Sequence, residues 1–257
     1  NKSILELISL GWIQKRNDTD IFMHPIISDL IANNESISKS YSYYTLASRL
    51  EEYCNPDYIN HISVVMSRLS YALQLNKRYC TEPTDKQTYM RAKVGRLYAN
   101  IYRPDDARLY LLEALALEEN RDSHFFTPYL YSFLGEVEKD FGTKSAAIEY
   151  YQKSISEGKR FKNRYYLIVV ESMINIAECL SENNEKTKAF DQYIAALRYA
   201  RIHFVKSHIY EIASGLVNVC NDLDWLDKAK KYENLKKKYA DWAEEGEIKE
   251  LKKMQNS

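Results

Sequence analysis

The chain is short of the residues that turn or cross-link a backbone: its 257 residues include seven glycines, five prolines and four cysteines. So few turn formers exclude a turn-rich β architecture and favour helices joined by short connections. Cys54, Cys80, Cys179 and Cys220 stand far apart with no C-x-x-C pair, so neither a zinc site nor a disulfide framework is encoded. Free thiols in a reducing compartment are expected instead. An excess of charge of one sign is also lacking: 36 Lys and Arg balance 36 Asp and Glu, leaving no net field to draw the chain onto nucleic acid or lipid. No apolar run is long enough to cross a bilayer, and no charged-then-apolar leader opens the sequence. A cytoplasmic protein without direct nucleic-acid or membrane partners is expected. The sequence opens on Asn1 rather than Met, which fits a segment of a longer polypeptide.

Catalytic signatures are missing as well. H-E-x-x-H, G-x-S-x-G and G-x-x-x-x-G-K-[ST] do not occur, and His61, His124, His203 and His208 fall in separate helices or at helix ends. The expectation is a protein that is not an enzyme, with no catalytic residue, cofactor or metal in this chain. The adjacent carboxylates Glu51-Glu52, Glu118-Glu119 and Glu244-Glu245 point to different parts of a helix surface and read as solvated faces.

What the sequence does have is a repeat. Gly95, Gly135 and Ala177 are each followed twelve residues later by an alanine, Ala107, Ala147 and Ala189. Four residues on stands a large side chain, Leu111, Tyr151 or Tyr193, and three further a small one, Ala114, Ser154 or Ala196. Steps of 40 and then 42 residues between copies mark a solenoid, because one helical hairpin cannot bury its own apolar face. The small residues let paired helices approach; the large ones fill the space between layers. Helix pairs are expected at 87–102 and 105–119, 126–141 and 144–158, 165–182 and 186–201, and 208–222 and 225–239. The fourth keeps Ala229 but places Glu233 and Lys236 where apolar and small residues belong, as befits a terminal repeat. Of the 22 tyrosines, Tyr98, Tyr131, Tyr151 and Tyr193 fall at packing positions, while others, such as Tyr165-Tyr166, cannot all face inward.

The flanks differ. In residues 1–36, an apolar helical face ends at Gly11, and Trp12–Lys15 and Ile21–Met23 flank the polar run Arg16–Asp20 as a β-hairpin. Pro25 then opens a second helix. Residues 37–86 read as an irregular first helical hairpin divided at Asn55-Pro56, 87–240 as the repeats, and 241–257 as a charged capping helix or tail.

Two resemblances follow from these residues. Tyr131, Leu134, Gly135, Ala147, Tyr151 and Ser154, with Met173, Ile176, Ala177, Ala189, Tyr193 and Ala196, resemble the tetratricopeptide repeat (TPR), although the period is 40 to 42 rather than 34 and the closing proline is absent. The implied fold is all-α, a TPR-like right-handed α-solenoid preceded by part of a winged helix. Leu10-Gly11-Trp12-Ile13 and Ile21-Phe22-Met23-His24-Pro25 resemble the end of the winged-helix domain of STAND-type NTPases of the NB-ARC group. That resemblance makes His24 a nucleotide-sensor candidate, facing ADP or ATP in a nucleotide-binding domain upstream in the same chain.

The TPR resemblance places a binding groove along the first helix of each repeat. Its candidates are Tyr89, Lys93, Arg96 and Asn100; Tyr129, Phe133, Glu136, Lys139 and Asp140; Glu171, Asn175, Glu178 and Glu182; then Glu211, Asn218, Asn221 and Asp222. Cations come first and carboxylates and amides later, a polarity suited to an extended peptide. The expected function is a sensor or interaction domain that binds a peptide, a protein or a small inducer and biases a nucleotide switch, with self-association on activation. A stand-alone TPR scaffold or a cytosolic peptide-pheromone receptor is the alternative; the hairpin at 12–23 weighs against the helical head of such a receptor.

Overall fold

A computed structural model of the chain describes residues 13–15, 21–23, 85–119, 121, 124–161 and 164–240. His24, the helices expected to either side of the β-hairpin, the irregular hairpin between 37 and 80, Cys54, Cys80, His61 and the tail from 241 lie outside the described residues. The chain divides between Glu82 and Pro83 into two compact units. In the first, strands β1 (Ile13–Lys15) and β2 (Ile21–Met23) pair antiparallel, with Ile13 opposite Met23 and Lys15 opposite Ile21.

The second unit contains four consecutive helical hairpins: α1 (Asp85–Asn100) with α2 (Pro104–Glu119), α3 (Thr127–Phe141) with α4 (Lys144–Arg160), α5 (Tyr166–Glu182) with α6 (Lys186–Ile202), and α7 (Ile209–Asp222) with α8 (Leu226–Lys238). Among the described residues, no helix is long and apolar enough to cross a membrane.

Four of these helices stop in the same way. Tyr102, Asn184, Phe204 and Asp224 lie in the left-handed region, with φ of 60°, 65°, 58° and 56°. The next N–H then reaches back five residues: Arg103 to the Tyr98 carbonyl, Glu185 to Leu180, Val205 to Ala200 and Trp225 to Cys220. This satisfies carbonyls that a helix end would otherwise leave unpaired, and it reverses the chain within a few residues. Asn184 and Asp224 tolerate the conformation through their short polar side chains; aromatic Tyr102 and Phe204 are strained there. Starts are less uniform: Pro104 opens α2, and the Thr143 hydroxyl caps α4 by accepting from the Ala146 N–H at 3.2 Å.

The repeated column forms the packing core. Ala107, Leu111, Ala114, Ala147, Tyr151, Ser154, Ala177, Ala189 and Ala196 are fully buried, and Tyr193 is nearly so. A Cβ added at Gly135 would lie 2.6 Å from the Tyr151 ring, and one at Gly95 would lie 2.7 Å from Leu111, so each glycine is the floor on which its partner's large side chain rests. Tyr193 reaches further, beneath the next hairpin, where a Cβ on Gly215 would lie 2.3 Å from its ring. Buried Ile168, Val169, Val170, Met173, Ile174 and Ile176 make α5 apolar on most sides, as a helix between two neighbours must be. In the last hairpin Ala229 and Tyr232 are buried while Glu233 and Lys236 are only half-buried, the weakening expected of a terminal repeat. Cys179 and Cys220 are buried free thiols, and burial raises the pKa of both.

Two expectations are corrected. Glu118 is not a solvated carboxylate: it is fully buried and accepts from the Thr88 hydroxyl at 3.1 Å, Arg121 Nη1 at 3.1 Å and the Phe126 N–H at 2.8 Å. It sits four residues beyond Ala114, on the same inward stripe, whereas Glu119 is turned roughly 100° away into solvent. Tyr131 is half-exposed rather than packed inside, stacked on Tyr150 at 6.4 Å beneath the Lys153 ammonium. Further polar links run within and between hairpins. Ser154 donates to the Pro128 carbonyl at 2.8 Å, Ser172 to Ser154 at 2.9 Å, and the Tyr165 hydroxyl to the Phe125 carbonyl at 2.9 Å.

Gly135→Ala should destabilise the array by about 1–2 kcal/mol in urea unfolding, because the displaced Tyr151 ring outweighs the gain in helix propensity. Phe204→Gly should act in the opposite sense, raising stability by about 1 kcal/mol through release of the left-handed strain at a ring that is 82% exposed.

Candidate binding groove

First helices touch first helices: α1 meets α3, α3 meets α5 and α5 meets α7, whereas second helices of successive hairpins make no comparable row. Crowding along that side makes it the inner face. Every groove candidate from Tyr89 to Asp222 lies on one of these four helices.

At the N-terminal end, the Arg96 guanidinium lies 4.5 Å above the Phe133 ring and Lys93 lies 5.2 Å above Tyr89. A cleft of 290 Å³ opens between α1 and α3, lined by Arg96, Asn100, Tyr102, Phe133, Glu136, Asp140 and Phe141, among others. Phe141 meets Tyr102 edge-on at 5.9 Å, so one wall is aromatic and the other charged. Glu136 is held above the ordinary carboxylate range by burial; Arg96 pulls it down, and Glu171 and Asp140 push it up.

Lys139 occupies the centre. Its ammonium donates to Asn175 Oδ1 at 3.0 Å and pairs with Glu178. Burial lowers its pKa, but the hydrogen bond and charge of Glu178 outweigh that and leave it above the ordinary lysine value. Asn175 is thereby already engaged. Tyr129 packs edge-on against Tyr165 at 5.8 Å, with its phenol raised by burial and then by Glu171, and it is half-buried between helices rather than displayed.

Towards the C-terminal end, Glu171 accepts from His208 Nε2 at 3.2 Å when the imidazole carries that proton. A second cleft, of 380 Å³, lies between α5 and α7, bordered by Glu178, Glu182, Tyr193, Glu211, Ser214 and Asn218. Burial raises Glu211; His208 pulls it down, and Glu178 and Glu171 push it up. Asn221 is exposed on α7 but does not line this cleft. Along the turn edge, Lys144 pairs with Glu182, Lys186 with Asp222 at 2.6 Å and Arg108 with Glu138 at 2.6 Å, each tying one hairpin to the next. Among the described residues no group of three His, Cys, Asp or Glu could hold a metal ion.

Some cleft residues escape the repeat pattern. Tyr102 and Phe141 sit at hairpin turns, and the column marks Tyr193 only as packing. The one sequence signal for Tyr193 is Gly215, a residue without a side chain on the helix above an aromatic column position. His203, at the C-terminal end of α6, stacks on Tyr166 at 3.9 Å.

No family model and no curated protein sequence matches the chain. Solved structures do match it. Putative kinesin light chain TPR-like repeats from Podosopora anserina superpose with a TM-score of 0.59 at 12% identity, covering 78% of this chain and 94% of that one. The fold is TPR-like. Aspartyl phosphate phosphatase F from Bacillus subtilis gives a TM-score of 0.68 at 13% identity over 99% of this chain, which spans 64% of that protein. PlcR from Bacillus thuringiensis, crystallised with the peptide PapR7 and DNA, gives 0.58 at 12% identity over 100% of this chain and 90% of that one. At these identities the TPR-like architecture is what is shared.

Because the raised pKa of Glu136 favours the protonated folded state, its contribution to stability is full below the unfolded carboxylate value and is lost as pH rises through the folded one. Glu136→Gln should therefore raise the melting temperature at pH 7 and leave it unchanged near pH 3, below the ordinary glutamate value of about 4.3. An equal shift at both pH values would mean that the effect is not one of charge.

Proposed function

We propose that this TPR-like array binds an extended peptide, or an extended segment of a protein, along the inner face of α1, α3, α5 and α7, as the sensing part of a signal-transducing regulator. The observation that carries the proposal is the inner row itself: one continuous face holds two clefts at opposite ends with fixed charges between them. A peptide backbone in extended form spans about 3.3 Å per residue, so a chain of several residues reaches from one cleft to the other. Arg96 over Phe133 supplies an anion-binding and stacking corner, and the Asn218 amide offers both a donor and an acceptor to a peptide bond. PlcR, which shares the fold, was crystallised with a peptide, which supports the reading.

The regulatory context rests on the β1–β2 pairing at Ile13–Met23, which fits the end of a winged helix of the STAND type. On this reading, a nucleotide-binding domain precedes the array in the encoded polypeptide, and ligand in the groove shifts its ADP- and ATP-bound states through a difference in affinity for the two arrangements. The second reading, a peptide receptor or scaffold without a nucleotide switch, is favoured by the PlcR likeness.

A randomised hexapeptide library passed over the immobilised 257-residue chain should leave a retained pool that Arg96→Glu combined with Asn218→Ala reduces about tenfold, the loss of one charge-assisted contact. Retention by the variant equal to wild type moves the site off this face. The regulatory context has its own measurement: the purified full-length gene product should carry ADP, and a nucleotide-free product would overturn the STAND reading while leaving the groove intact.

A further inference from the structure

We propose that the cleft between α5 and α7 is a subsite for a monocation, the ammonium or guanidinium group of a peptide ligand. This rests on the reading of the inner face as a peptide groove and specifies the chemistry of one end of it.

Three carboxylates border the cleft, but they are not equivalent. Glu178 is paired with Lys139, and Glu182 with Lys144. Glu211 makes no ion pair among the described residues; His208, whose charge lowers the Glu211 pKa, is hydrogen-bonded to Glu171. The three acids therefore carry one unmatched negative charge, crowded by like charges and partly shielded from water. That sum suits a single positive charge and not a divalent ion.

A set of acids alone is an ordinary surface feature. The independent observation is Tyr193, a side chain that is only 4% exposed, borders the cleft, and has a hydroxyl with no hydrogen-bond partner among the described residues. Ser214 Oγ, on the same cleft, is a buried atom without a partner among the described residues. A buried hydroxyl left unpaired costs free energy, and natural structures usually satisfy it with a ligand or water. Burial and the neighbouring carboxylates keep the Tyr193 phenol neutral, so its oxygen is available as an acceptor. Gly215 holds the arrangement open: a Cβ there would lie 2.6 Å from Tyr193 Oη and would close the space between phenol and helix. One carboxylate and two hydroxyl oxygens around a small space form an acceptor set for an N–H cation, whose three or more donors need as many partners.

The test uses the folded 257-residue chain and the hexapeptide library in two forms, with a free amino terminus and N-acetylated. Wild type should show one cationic preference of about tenfold, either Lys or Arg enriched at one position or the free-amino library retained over the acetylated one, the size expected of one charge-assisted hydrogen bond. Glu211→Gln, isosteric on an exposed residue, and Tyr193→Phe, which keeps the ring, should each lose that enrichment while still retaining peptides; circular dichroism confirms that both variants remain folded. A Lys or Arg enrichment that survives acetylation places a side chain in the cleft, and retention that acetylation reduces about tenfold places the peptide amino terminus there. Retention with neither a Lys or Arg preference nor a dependence on the free amino terminus, or a preference unchanged in both variants, overturns the subsite alone. No retention by wild type overturns the groove reading together with it.

Discussion

Everything in the array depends on one contact, a large side chain on the second helix of a hairpin resting on a residue without bulk on the first. Gly135 under Tyr151 and Gly95 under Leu111 set how closely the paired helices approach. Burying such side chains contributes about 2–3 kcal/mol each relative to exposure. Their larger effect is geometric: a Cβ at either glycine would push the helices apart, and the next hairpin would lose its seat. In the third hairpin the same column position does a second task, because Tyr193 passes beneath Gly215 and so couples packing within one hairpin to the position of the next. The inner row of first helices follows from these approaches. So does the groove, which exists only while α1, α3, α5 and α7 remain side by side.

Apolar burial alone would leave successive hairpins free to slide, and the polar links at each junction fix their register. The first junction uses the buried carboxylate of Glu118, tolerable in the interior because a hydroxyl, a guanidinium and a backbone N–H all donate to it. The second uses neutral groups, Ser154 with Ser172 and Tyr165 with the Phe125 carbonyl. Nearer solvent, Lys144–Glu182 and Lys186–Asp222 repeat one geometry at successive turns, each worth little alone at such exposure but consistent in direction. A shift of one residue at any junction would strand Glu118 or unpair these lysines, so different chemistries specify the same stacking.

The fold was legible because its signal is periodic. The eight helices of the described residues fall within two residues of where the column of small and large residues places them. The errors came where periodicity is silent. Glu118 beside Glu119 looks like a doubled surface charge until the inward stripe through Leu111 and Ala114 is extended by one turn. The left-handed ends at Tyr102 and Phe204 carry no glycine to announce them; the Schellman hydrogen bonds impose the conformation on residues that do not favour it. The groove was legible as a list of helix faces but not as a site. Whether Asn175 faces ligand or Lys139, and whether Tyr193 is packing or lining, depends on side chains some 40 residues apart meeting across hairpins.

Lys139 decides what kind of groove this can be. Placed amid Glu136, Glu171, Glu178 and Glu211, its ammonium offsets part of a charge that would otherwise drive the inner helices apart. Burial of an ammonium is costly, and the position is sustained only by Glu178 and the Asn175 oxygen. The consequence is a face divided in two. On one side, Arg96 balances Glu136 and Asp140 above an aromatic floor; on the other, Glu211 stays without an ion pair among the described residues, beside the buried, unpaired Ser214 hydroxyl. Charges already paired within the protein add little to affinity, because a ligand must displace a partner to reach them, whereas an unmatched group offers its full differential interaction. For the proposed peptide ligand, selectivity would therefore belong to the two ends of the face, while the centre holds the helices together.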